Sequence, residues 1–125
     1  MISEITQNDI LQGVDVSEVG GLAKRFSVNK EEMASILGVS PRTLQKKSAG
    51  HDQSLDKNLS ERCLNLNNLM NIAIDYFGSK EGAVDWFHTE NRSLGSVTPF
   101  SLCDTFLGMQ RVEEVIVKLM YGMTA

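Results

Sequence analysis

The chain has 125 residues, 42% of them hydrophobic, with 12 basic against 16 acidic side chains and a net charge of −4. That length suits one domain, or two small ones sharing a core, burying roughly two thirds of the unfolded surface. No apolar run approaches the ~20 residues needed to span a bilayer, and the acidic start MISEITQNDILQGVD lacks the basic and apolar blocks of a secretion signal, so a cytoplasmic protein without a membrane partner is expected.

Residues 1–15 scatter Ile and Leu among Asp, Asn, Gln and Gly; they form an unassigned segment, expected to fray. Val19, Leu22, Ala23 and Phe26 then recur at helical spacing, weakened by Gly20 and Gly21. The most legible stretch is Asn29 to Lys47. Asn29 and Glu32 have the spacing of a capping box, and Met33, Ile36 and Leu37 share one helical face. Gly38 supplies the turn, Val39 returns to the core, and Ser40 followed by Pro41 starts a second helix. With Leu44 facing inward, Arg42, Thr43, Gln45 and Lys46 face outward, as in a helix-turn-helix whose second helix enters the major groove. Arg42 and Gln45 are the base readers of choice and Lys46 and Lys47 suit phosphates; with Ser40 and Thr43 they make up the expected DNA-binding set. Charge follows the same pattern. Residues 22–47 balance to +4, whereas residues 1–21 and residues 48–125 each carry −4. A local +4 is modest, so binding as a homodimer or a larger assembly is implied.

The helix-turn-helix domain is placed at 16–50 and the polar stretch 51–58 is read as a linker, with His51 solvated. From Leu59 to Phe77 the apolar positions alternate at spacings of four and three, the longest helical pattern in the chain, with Glu61, Asn65, Asn67, Asn68, Asn71 and Asp75 expected to cover its wet side. Gly78 ends it. Ser79 caps the next helix, whose Ala83, Val84, Trp86 and Phe87 are read as core. Thr98 and Pro99 start a helix expected to run over 99–107 and to stop at Gly108. The last helix, over 109–121, carries Val112, Val115, Ile116 and Leu119 on one stripe and stops at Gly122, with Val117 and Tyr121 off the stripe. No β-type alternation survives, and the fold class is all-α. Cys63 and Cys103 sit in apolar patterns and read as buried free thiols. Without a nucleophile motif, a phosphate loop or a metal-spaced ligand set, no enzyme, catalytic residue, cofactor or metal is expected.

Leu59-Ser60-Glu61-Arg62, Ala73-Ile74-Asp75-Tyr76-Phe77-Gly78, Trp86-Phe87 with Asn91, Leu94-Gly95, Thr98-Pro99, Asp104-Thr105, Gly108 and Gly122 follow one another in order. This succession resembles the MbcA/ParS/Xre antitoxin family, partners of RES-domain toxins, over about residues 20 to 125. The resemblance implies an N-terminal Xre-like domain that binds the operon's own promoter, packed with a helical toxin-binding and dimerisation domain over 59–125. It also implies a toxin that degrades NAD⁺ and is blocked at its active-site entrance. Val117, Tyr121, Gly122 and Met123 are the expected toxin-binding residues, since an apolar end beyond the core stripe makes sense under a partner. A stand-alone helix-turn-helix transcription or partition regulator stays open as the alternative.

Overall fold

The computed structural model describes residues 13–122, which form helices joined by short turns, without a strand among the described residues. The helices are α1 (Ser17–Arg25), α2 (Lys30–Leu37), α3 (Pro41–Ala49), α4 (Lys57–Phe77), α5 (Lys80–Phe87), α6 (Pro99–Leu102) and α7 (Phe106–Met120), with a 3₁₀ turn at Arg92–Leu94. The chain divides into two compact units, the boundary falling within α4 between Asn67 and Asn68.

In the first unit, Val19, Leu22, Phe26, Met33, Leu37, Leu44, Cys63 and Leu66 are buried. Buried polar groups take part as well. Asn67, expected on the wet side of α4, is only 2% exposed. It is buried because Arg25 Nη1 donates to its side-chain oxygen and, at 3.2 Å, to its backbone carbonyl. Burial lowers the Arg25 pKa. One of the charges counted in the +4 of residues 22–47 therefore serves the interior.

Gly13, Val14 and Asp15, the last of the segment expected to fray, are tied down. Leu55 N donates to Val14 O at 2.7 Å, Val16 N to Gln53 O at 2.8 Å, and Val14 N to the Ser60 hydroxyl at 2.9 Å. Residues 53–55 are thus half of a clasp rather than loose chain, because Leu55 is buried and takes its neighbours' backbone with it.

In the second unit, Met70, Ala73, Ala83, Phe87, Leu94, Phe100, Met109, Val112, Val115 and Ile116 are buried. Trp86, read as core, is only half-buried and forms a ring cluster with Phe77 at 5.8 Å and Phe87 at 5.3 Å. The expected helix over 99–107 is instead two. α6 ends at Leu102, Thr105 caps α7 by accepting from Gly108 N at 2.9 Å, and Gly108 lies inside the first turn of α7. A glycine three residues after a threonine belongs to a helix start here, not to a stop. Both thiols are buried, and burial pushes Cys63 and Cys103 up to about 12, with Glu18 and Asp104 respectively adding to the effect. Neither supplies a thiolate near neutral pH.

Candidate functional site

The turn between α2 and α3 is built as its residues dictate. Asn29 Oδ1 accepts from Glu32 N at 2.8 Å and Glu32 Oε1 from Asn29 N at 3.3 Å, a complete capping box. Gly38 ends α2 at φ 74°, where a side chain is strained, and a Cβ there would also come within 3.1 Å of Arg62 Nη1. That guanidinium donates to Leu37 O at 3.0 Å, so α4 holds the last carbonyl of α2 in place. Ser40 Oγ accepts from Thr43 N at 3.1 Å and pairs with the Thr43 hydroxyl at 2.8 Å. The two hydroxyls of the expected DNA set therefore fix the start of α3.

Leu44 is the residue of α3 that turns inward, which leaves Arg42, Gln45 and Lys46 exposed and Lys47 half-buried. Arg42 carries a planar fork suited to a guanine edge and Gln45 an amide suited to adenine. Lys47 lies near enough to Asp52 to help hold that carboxyl low, behind the larger effect of the Ser54 backbone N–H and hydroxyl. Lys46 is thus the less compensated of the two lysines. Lys30, at the first position of α2, rims with Gln45 an open cleft of about 570 Å³ between α1 and α3. This cation belongs to the local charge but not to the expected DNA-binding set; its place in one cleft with Gln45 shows only in three dimensions.

The second candidate surface is α7. Val112, Val115 and Ile116 are buried as expected, and Leu119 is half-buried. Val117 is half-buried, Tyr121 is 75% exposed and Gly122 ends the helix at φ 71°. Met123 lies outside the described residues. At the opposite end of α7, Phe106 is 54% and Leu107 67% exposed. The signal for this pair was available in the sequence: once Thr105 is the cap, two large apolar residues occupy the first helical positions, where acidic residues are favoured.

Among the described residues there is no group of His, Cys, Asp and Glu side chains able to hold a metal, and no helix long and apolar enough to cross a membrane.

Residues 8–68 match the family model of the antitoxin Xre-like helix-turn-helix domain, and residues 73–122 that of the antitoxin Xre/MbcA/ParS C-terminal toxin-binding domain. Two similar proteins are both called Antitoxin Xre. The one from Yersinia enterocolitica is 29% identical over 116 residues, covering 92% of this chain and 78% of that protein. The one from Photorhabdus laumondii is 27% identical over 115 residues, covering 91% and 77%. With the two domains matched in order on an all-helical fold, one containing a capped helix-turn-helix and the other ending in a partly exposed helix, the chain belongs to the Xre/MbcA/ParS antitoxin family.

Proposed function

We propose that this chain is the antitoxin of a type II toxin–antitoxin pair in the bacterial cytoplasm, acting by binding and not by catalysis. Its partner is a RES-domain toxin that degrades NAD⁺, whose active-site entrance is covered by the end of α7. α3 binds the pair's own promoter, as a homodimer or within a larger complex with the toxin. Domain limits follow the same reading, with DNA contacts from 16–50 and toxin contacts from 59–125.

The observation that carries the neutralising step is the end of α7. Its inner stripe is buried, so it is an anchored rod, and Tyr121 stands 75% exposed at its tip. Tyrosine buries a large rigid surface at low entropic cost, which suits the centre of an interface. Deleting residues 121–125 is expected to leave helicity and promoter binding intact and to abolish rescue of growth from the co-expressed toxin. Circular dichroism, a gel shift and a growth assay read the three parts. Full rescue by the truncated chain would move the blocking surface elsewhere in residues 59–108. Promoter binding with no rescue by the intact chain would favour the stand-alone regulator.

For DNA, Arg42→Ala is expected to cost ~1 to 3 kcal/mol on the operator and to relax preference at one base pair, whereas Lys46→Ala weakens all duplexes alike. Titration of operator and random duplex at fixed salt separates the two. Equal losses on both duplexes for both variants would mean that α3 does not read sequence.

A further inference from the structure

The surface of α7 left over by the tip is the pair Phe106–Leu107, the most exposed large apolar residues of the described chain apart from Tyr121. At 100° per residue, Phe106, Gln110, Val117 and Tyr121 fall within about 60° of one another around the helix axis, opposite the buried stripe. The helix thus presents one continuous outer strip, apolar at both ends and polar in the middle, where Gln110, Glu113 and Glu114 are exposed. The two apolar ends are about 20 Å apart. A tip of three or four residues is too small for a stable complex, which buries on the order of 800 Å² on each partner. A second copy of the chain fits the strip poorly. An antiparallel pairing that sets Phe106 against Tyr121 brings Glu113 and Glu114 of the two copies together, a like-charge contact.

We propose that the toxin lies along the whole outer strip of α7, held at two apolar points, Tyr121 at one end and Phe106–Leu107 at the other. The proposal rests on the toxin-binding reading above. It specifies the partner surface: two apolar recesses about 20 Å apart, separated by a polar band.

The test is the double variant Phe106→Asp/Leu107→Glu, with Tyr121→Ala and the single Leu107→Lys beside it. Acidic residues at the first positions of a helix are favoured by its dipole, so the double variant keeps its fold. Affinity is measured by calorimetry against the purified protein encoded by the adjoining reading frame, with thermal melting, a promoter gel shift and the mass of the chain in solution as parallel readouts. The expected result is a loss of about 100-fold for the double variant and for Tyr121→Ala, with melting, promoter binding and solution mass unchanged. Leu107→Lys, should the double variant melt early, is expected to lose about tenfold. Affinity of the Phe106 and Leu107 variants within threefold of the parent, with Tyr121→Ala defective, would overturn the two-point contact and leave the tip model standing. Unchanged affinity for all three variants, or no binding by the parent, would overturn both. A fall in solution mass of the double variant with toxin affinity intact would assign Phe106–Leu107 to a second copy.

Discussion

Phe87→Ala is expected to cost ~3 to 5 kcal/mol, enough to unfold a marginal unit, whereas Trp86→Ala should cost only about 1 to 2 kcal/mol. The two rings are neighbours in sequence, but Phe87 is fully buried and Trp86 half-buried. Truncating Phe87 leaves a cavity sealed from water, while the space left by Trp86 opens partly to water. Denaturant titration of the two variants at one temperature decides it. A Trp86 variant as damaged as the Phe87 variant would show that the ring cluster of Phe77, Trp86 and Phe87 behaves as a single closed core.

Gly108→Ala is expected to be nearly as damaging, about 3 kcal/mol, with a melting point well below the parent. A Cβ at this position would sit 1.8 Å from Leu102 O, and that carbonyl is the end of α6, fixed by the Thr98 cap and Pro99 at the other end. No flexible side chain is there to yield, so α6 and α7 must separate. Their closeness is what lets α7 start only a few residues after α6 stops. A Gly108→Ala protein that melts within a degree or two of the parent would mean that α6 shifts as a rigid body at little cost.

The parts of this fold legible in the sequence are those governed by local rules. The Asn29–Glu32 box, the Gly38 turn, the Ser40 cap before Pro41 and the Thr98 cap before Pro99 all involve residues at most four apart, and each formed as written. The parts that were missed depend on distant partners or on two local rules in competition. Asn67 follows the polar pattern of its helix face, and nothing nearby announces that Arg25, 42 residues earlier, will fold onto it. Gly108 satisfies the pattern of a helix stop and that of a close helix contact equally well; Thr105, three residues before, was the tie-breaker. Trp86 was assigned to the core on hydrophobicity, but a ring of that size at the end of a two-turn helix reaches past the core edge. For the sites, the outward face of α3 was readable from Leu44 alone, because one buried position fixes the other faces of a short helix. The exposed pair Phe106–Leu107 was hidden by the same misplaced helix boundary that made Gly108 a stop.

The clasp between residues 14–16 and 53–60 bears on the order of events during synthesis. Val14 donates its backbone N–H to a hydroxyl 46 positions further on, and Leu55 closes the same loop from beside it. Closing a loop of that length costs chain entropy that is recovered only when both ends are available, so α1 to α3 cannot be locked together while Ser60 is still inside the ribosome. Once Asn67 has emerged, the bonds that tie the helix-turn-helix to the start of α4 can form while the rest of the chain is still being made, because the first compact unit ends at Asn67. On a growing chain, the helix-turn-helix therefore becomes complete before the α7 surface exists.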